Sequence, residues 1–305
     1  MKLITQENSR LGFVGIGYMG RPIARRLLES GFKLTANDRD HSKTEELIQY
    51  GGNVAKSVAE LSSSCNVVLS CLPSDEAVLD IYRGSDGVFA NAHRGSVVID
   101  LSTVYPETSQ ELSRLGSEHG VEVLDVTISG STPAAETGLL TLFGGGDKQR
   151  FDSAESIFRV IAKKYFYLGP SGSGATMKLV VNTLLGIGMQ AIAEAVALGE
   201  KAGLDRSRLL DVLSQTAVVA PAHVGKLERA MKSDYSPQFP IRLMNKDFGL
   251  IFELANAVGA RMPAAGAAFE INARQSEEGP EQDFSAVILQ MEKRAHLGSN
   301  GNGQT

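Results

Sequence analysis

From Leu11 to about Leu168, short β-branched runs alternate with stretches whose apolar residues recur every three or four positions. That alternation predicts a parallel sheet covered by helices. The predicted strands are Leu11–Val14, Lys33–Asn37, Asn66–Cys71, Ser96–Asp100, Val121–Asp125, Leu140–Phe143 and Tyr165–Leu168. Two of the intervening helices, Met19–Ser30 and Pro106–His119, are followed by Gly31 and Gly120, the residue type that lets a helix end in a left-handed turn. After Gly174 the strand pattern stops. The segment from Ala175 to Ala202 holds no proline and keeps helical composition for about 28 residues, or about 40 Å at 1.5 Å per residue. Later periodic segments all read as helix: Arg206–Gln215, Val224–Met231, Asn245–Val258, Pro263–Glu277 and Ser285–Arg294. The expected organisation is α/β: a doubly wound parallel sheet over 10–170, a long interdomain helix over 171–202 and an all-α domain over 203–296. A Gly/Asn/Ser-rich tail over 297–305 is expected to be disordered.

The turn between the first strand and the first helix reads Gly15-Ile16-Gly17-Tyr18-Met19-Gly20. With 32 glycines in 305 residues, this spacing arises by chance about 0.3 times. Context decides the matter. The loop leaves an apolar strand, opens a helix with Pro22 near its first turn, and is followed by an acid, Asp38, at the end of the second strand. In that setting Gly15 makes the tight turn, Gly17 lets backbone approach a pyrophosphate, and Gly20 lets helix pack on strand. The helix N-terminus then holds the phosphates on its amides. Residues 10–170 therefore read as a Rossmann domain for NAD(P). Asp38-Arg39-Asp40 bears on which cofactor is used. A carboxylate there binds the ribose hydroxyls of NAD(H), whereas Arg39 with Ser42 and Lys43 can accommodate the 2′-phosphate of NADP(H). The balance is slightly towards NADP(H), with NAD(H) close behind.

Charge narrows the partners. A net charge of −5 with 30 scattered Lys and Arg gives no basic footprint for nucleic acid, so a small-molecule function is expected. The segment Met1–Arg10 lacks the apolar core of a signal peptide, and no apolar run approaches the roughly 20 residues that span a bilayer. The chain reads as cytoplasmic, with no membrane partner. Cys65 and Cys71 have neither a Cys-x-x-Cys spacing nor a nearby histidine, so reduced structural thiols and no metal are expected.

Along the predicted long helix Lys178, Asn182, Gln190 and Glu194 recur at multiples of four among apolar residues. They share one helix face. A narrow polar stripe on a buried helix points to a cleft lining, the alternative being a solvated face. A lysine in such a cleft beside a nicotinamide can act as general acid. Asp125-Val-Thr-Ile-Ser129-Gly130-Ser131 ends a strand, where α/β sheets bind ligands, and amides beside hydroxyls can hold a carboxylate. An ordinary Ser/Gly turn remains the alternative. Of the five histidines, none stands in a recognisable His–carboxylate arrangement, and His223 is the one to test.

Taken in order, these segments resemble the β-hydroxyacid dehydrogenase family from Leu11 to about Lys293, and most closely its glyoxylate/succinic semialdehyde reductase branch. The matches are Gly12-Phe-Val-Gly-Ile-Gly-Tyr-Met-Gly20, Leu72-Pro73, Asp100-Leu-Ser-Thr103, Ile128-Ser-Gly-Ser131, Gly172-Ser-Gly174 with Lys178 and Asn182, Lys246-Asp247 and Asp283-Phe-Ser-Ala286. The resemblance implies that Lys178 is the catalytic lysine and Asn182 the amide that orients substrate. Ser129, Gly130 and Ser131 would hold the substrate carboxylate. Leu72, Pro73, Thr103 and Lys246 would join the 15–20 loop, Asp38 and Arg39 in binding cofactor. It also implies reduction of a small aldehyde acid and a homodimer or homotetramer built through the apolar C-terminal helices. Imine reductases resemble the family as well but usually lack the lysine, and a cofactor-binding protein without chemistry is the remaining alternative. Val126, Thr127 and Ser131 depart from the family's usual residues in the substrate loop, and Asp38 and Asp40 flank Arg39 where NADP-using members often show Asn and Thr.

Overall fold

The computed structural model describes residues 3–297; Met1, Lys2 and residues 298–305, hence nearly all of the tail expected to be disordered, lie outside the described residues. Eight strands form one sheet in the order β3-β2-β1-β4-β5-β6-β7-β8. They are β1 (Arg10–Val14), β2 (Lys33–Asn37), β3 (Asn53–Val54), β4 (Val67–Ser70), β5 (Val97–Asp100), β6 (Glu122–Ser129), β7 (Leu140–Gly145) and β8 (Ala162–Gly169). The two-residue β3 is too short to give a sequence period, so it was not predictable from alternation. The chain winds outward from β1 to β3, then crosses back to β4 on the other side of β1. This reversal leaves a crevice outside the carboxyl ends of β1 and β4, the usual ligand position in such sheets.

The expectation of an all-parallel sheet needs one correction: β6 and β7 pair antiparallel. The connection runs only from Gly130 to Leu139, with a single short helix, Thr132–Thr137. A parallel crossover needs a dozen or more residues, so this connection can only turn back. The central strands β1, β4 and β5 are apolar over most of their length because helices cover both faces, polar residues standing only at their ends, at Arg10, Ser70 and Asp100. Leu11, Phe13, Leu69, Ile99 and Leu124 fill one core, and Val14, Val68, Val98 and Val123 the other. Burying each of the larger side chains stabilises the fold by about 1.5–3 kcal/mol.

The long helix spans Ser173–Lys201. The chain divides into two compact units inside it, at Leu179/Val180, rather than at its ends. The helix is long and apolar enough to cross a membrane by length and composition, contrary to the expectation that no run approaches that length. Nor is it buried all round apart from a polar stripe, as expected from its sequence: Val180, Leu184 and Leu198 are exposed.

The second unit packs helices Arg206–Ser214, Pro221–Ala230, Ile241–Val258, Pro263–Glu278 and Val287–Arg294, the last preceded by a 3-10 turn, Phe284–Ala286. The Asp283-Phe-Ser-Ala match is a structural knot in this unit. Asp283 is fully buried and its Oδ2 accepts from the Lys226 ammonium at 2.7 Å and from the amides of Gln238 and Phe239 at 3.1 Å each. Burial pushes the Lys226 pKa down, against the pull of Asp283.

Where the long helix ends, Glu200 lies beside Arg206, with Glu292 bonded to that arginine at 2.6 Å. Burial first, and repulsion from Glu292 second, push the Glu200 carboxyl up to about 7. An acid whose pKa is raised by folding holds a proton in the native state that the unfolded chain releases. Its stability contribution is present below about pH 4.5 and is lost as pH rises through about 7. Glu200→Gln should therefore gain about 1–3 kcal/mol relative to wild type between pH 5 and pH 8 in denaturant melts. An equal difference at both pH values would contradict this.

Candidate active site

In the first unit the glycine loop has the geometry a dinucleotide needs. Gly15 stands at φ +94°, a conformation L side chains rarely adopt. A side chain on Gly20 would run into the Gly15 carbonyl oxygen, so the first helix, Gly20–Glu29, can sit this close to β1 only with glycine there. A Cβ on Gly17 would instead meet nothing within 4 Å. The backbone at Gly17 therefore faces open space, as expected where a pyrophosphate approaches. Ile16 is buried and Tyr18 is half-exposed. Met19 lies beside the start of the Thr132–Thr137 helix, its Sδ 4.0 Å from the Thr132 Oγ1.

Asp38, just past β2, is tied into this loop. Its Oδ2 accepts from the Ile16 amide at 2.7 Å, its Oδ1 from the Asp40 amide at 2.9 Å, and the Lys43 ammonium stands 3.9 Å away. Arg39 and Asp40 are exposed. The Ser42 hydroxyl, with help from its amide, holds the Asp40 carboxyl below its ordinary range.

Beneath the neighbouring loops runs a buried polar chain that sequence pattern did not single out. The Leu72 amide donates to Ser102 Oγ at 2.9 Å, and the hydroxyls of Ser102 and Ser70 both donate to Asp100 Oδ1 at 2.6 Å. Tyr82 bonds Ser70 at 2.7 Å. Burial pushes up the pKa of both Tyr82 and Asp100. The chain ties the loop after β4, with Leu72 and Pro73, to the loop after β5, with Thr103. Asp100 and Ser102 stood in the matched Asp100-Leu-Ser-Thr103 segment, but only the fold reveals that they support Leu72.

Ser129 ends β6, Gly130 follows at φ +138°, and Ser131 opens the next helix with no side-chain capping bond. Gly130 and Ser131 are exposed. Four residues upstream, Asp125 is buried on β6 and accepts from the amides of Gly172 and Ala175 at 3.0 Å each. The long helix thus starts sewn to the strand that carries the 129–131 loop. Lys178, half-buried, follows three residues after Ala175. The first unit so brings the glycine loop, Leu72–Pro73, Thr103, residues 129–131 and Lys178 to strand ends and connections of one sheet.

In the second unit Asn182, one turn beyond Lys178 on the same helix, is fully buried. Its Nδ2 donates to Asp247 Oδ2 at 2.5 Å, and the Lys246 ammonium lies 2.9 Å from Asp247 Oδ1. Asp247 fixes the amide so that Nδ2 is the donor and Oδ1 the remaining acceptor. No local pattern could pair residues so far apart in sequence. His223 does not act as an acid/base candidate would: it is buried, its Nε2 lies 2.9 Å from the Leu185 carbonyl, and its ring packs against Gly188. Burial pushes its pKa down, so the ring is a neutral donor with a structural task. Among the described residues no three His, Cys, Asp or Glu gather as a metal site would.

Comparison with known proteins agrees with this geometry. Residues 10–169 match the model of the NAD-binding domain of 6-phosphogluconate dehydrogenase, and residues 172–291 that of the NAD-binding domain of NADP-dependent 3-hydroxyisobutyrate dehydrogenase. The chain is 37% identical over 279 residues to glyoxylate/succinic semialdehyde reductase 1 of Arabidopsis thaliana, covering 91% of this chain and 96% of that protein. It is 32% identical over 286 residues to the NAD-dependent L-serine dehydrogenase of Pseudomonas aeruginosa, covering 91% and 96%. The crystal structure of 3-hydroxyisobutyrate dehydrogenase from Salmonella typhimurium superposes with a TM-score of 0.85 at 26% identity, over 92% of this chain and 99% of that one. With both compact units matched and relatives aligned nearly end to end, the chain belongs to the β-hydroxyacid dehydrogenase family and is an NAD(P)-dependent oxidoreductase acting on CH–OH groups.

Proposed function

We propose that the enzyme reduces a small aldehyde acid, such as glyoxylate or succinic semialdehyde, to its hydroxyacid, with Lys178 as general acid. The observation that carries this reading is the stitch at Asp125: Lys178 follows the stitched turn by three residues, and Ser129 follows Asp125 by four. A lysine and a carboxylate-binding loop are thereby anchored to the same strand. The 37% identity to a glyoxylate/succinic semialdehyde reductase supports the substrate class.

The nicotinamide, when bound, supplies the hydride. Lys178, as ammonium, stabilises the developing alkoxide and donates the proton to the former carbonyl oxygen. Asn182, held by Asp247, orients that oxygen. Ser129, Gly130 and Ser131 hold the substrate carboxylate through amides and hydroxyls, so that much of the rate comes from orientation. In the oxidising direction Lys178 as free amine takes the proton back. Gly15, Ile16, Gly17, Tyr18, Met19 and Gly20 cradle the pyrophosphate, while Leu72, Pro73, Thr103 and Lys246 complete the cofactor contacts. The protein works in the cytoplasm as a homodimer or homotetramer; the exposed apolar Val180, Leu184 and Leu198 of the long helix support the oligomer.

A panel of aldehyde acids of graded chain length, each assayed with NADPH and NADH, tests this function. Turnover of at least one aldehyde acid supports it, and turnover of cyclic imines alone overturns it in favour of C=N reduction. Arg39 is assigned to the 2′-phosphate, with Ser42 and Lys43 completing the pocket. Arg39→Ala should raise the NADPH KM about ten- to a hundredfold, since a hydrogen bond to a charged group contributes about 1.5–3 kcal/mol. An unchanged NADPH KM would move the preference to NADH, with Asp38 as the ribose acceptor.

A further inference from the structure

We propose that Asp125 is a positioning residue for Lys178: its carboxylate docks the start of the long helix on the end of β6 and so sets where the lysine stands. The inference rests on Lys178 being the acid. Each carboxylate oxygen has its own donor, Oδ1 the amide of Gly172 and Oδ2 that of Ala175, both at 3.0 Å. These amides flank the beginning of the helix, where backbone donors have no partner within the helix. A third bond fixes the same turn from β6, the Thr127 hydroxyl donating to the Gly174 carbonyl at 2.8 Å.

Two glycines make the seat possible. A side chain on Gly174 would run into the carbonyl oxygens of Asp125 and Phe143, and a Cβ on Gly145 would stand 2.6 Å from Asp125 Oδ1. The Gly172-Ser-Gly174 spacing ahead of the lysine thus has a physical cause: the helix must start in contact with two strands. From Ala175 to Lys178 is three residues, about 4.5 Å of helix. A shift of the docked turn is therefore passed to the lysine almost undiminished. Such a shift matters, because a misplacement of about 1 Å can cost about a hundredfold in rate.

The latch also titrates. Burial pushes the Asp125 carboxyl up to about 6, against the lowering effect of its amide bonds. Once protonated, one oxygen becomes a hydroxyl, a much weaker acceptor for its amide than a carboxylate oxygen. The charged groups around it are few among the described residues. Asp100 stands in register on β5, its carboxylate held by Ser70 and Ser102. The Pro106–His119 helix presents uncharged Ser109 and Gln110 to the docked turn, β7 presents Gly145, and the helix start carries no charge before Lys178.

The test compares wild type, Asp125→Asn and Lys178→Ala, using glyoxylate and succinic semialdehyde with NADPH, together with amide hydrogen exchange. Asp125→Asn keeps the shape but offers one acceptor to two donors. Its kcat should fall about ten- to a hundredfold, with the NADPH KM within about twofold. The acid limb of wild-type kcat, centred near pH 6, should disappear in the variant. The amides of Gly172 and Ala175 should lose protection while the rest of the first unit keeps it. Unchanged kcat, limb and protection in Asp125→Asn overturn the latch. If Lys178→Ala is inactive beside a normal Asp125→Asn, the latch alone fails; full turnover by Lys178→Ala sinks the acid assignment and the positioning role with it. Should Asp125→Asn not fold, wild type carries the test: protection at Gly172 and Ala175, corrected for intrinsic exchange, should drop with kcat between pH 7 and pH 5, and constant protection overturns the proposal.

Discussion

Lys178→Ala should lower turnover of an aldehyde acid by at least about a hundredfold while leaving NADPH affinity within about twofold. The expected rate loss is that of removing the proposed proton donor, since general acid catalysis contributes about 10²–10⁴-fold. The retained affinity is expected from where the residues assigned to the cofactor in the first unit lie. The glycine loop leaves β1, the Leu72–Pro73 loop leaves β4 and the Thr103 loop leaves β5, whereas Lys178 stands on the long helix after β8. The check is steady-state kinetics at saturating cofactor beside a fluorescence titration of NADPH binding. Parallel losses of both would mean a collapsed fold rather than a missing acid, and thermal unfolding separates the two.

The second large effect is at Gly17. Gly17→Val should weaken NAD(P)H binding by about a hundredfold or more, about 2.8 kcal/mol, with the melting temperature nearly unchanged. A Cβ there meets nothing within 4 Å, and the position lies outside the left-handed region, so the protein alone tolerates a side chain. The added methyls instead fill the space into which the pyrophosphate must come. Gly20→Ala makes the contrast, because its new methyl group would strike the Gly15 carbonyl oxygen. That variant should lose stability as well as binding. Gly17→Val with normal affinity would place the cofactor elsewhere.

The comparison between these two glycines shows how much of the molecule was legible in sequence. The order of spaced glycines, apolar strand and helix was enough to predict a dinucleotide loop, and the structure separates Gly17, which faces open space, from Gly20, which faces protein. The alternation of strands and helices predicted most elements within a few residues, because central strands buried on both faces carry a continuous apolar signal. It did not reveal β3, which is too short, or the antiparallel turn at 130–139, which depends on connection length rather than periodicity. In the site, Lys178 and Asn182 stood out as polar residues on an apolar helix. Their supports did not. Asp125 bonds residues 172 and 175, and Asp247 bonds Asn182, across separations that no local pattern encodes. His223 was read as a remaining acid/base candidate because an isolated histidine in sequence carries no sign of its burial. The long helix is less buried than its narrow polar stripe implies, with Val180, Leu184 and Leu198 exposed, since a run of apolar residues does not say whether another chain or its own covers them.

One measurement tests the central claim most directly: the initial loss of nicotinamide absorbance at about 340 nm when wild-type protein and NADPH meet an aldehyde acid, set beside the same mixture with a cyclic imine. Carbonyl reduction assisted by the lysine ammonium predicts a decline with glyoxylate or succinic semialdehyde that Lys178→Ala lacks, and no decline with the imine. A decline with the imine alone, or equal rates from wild type and Lys178→Ala, would contradict it.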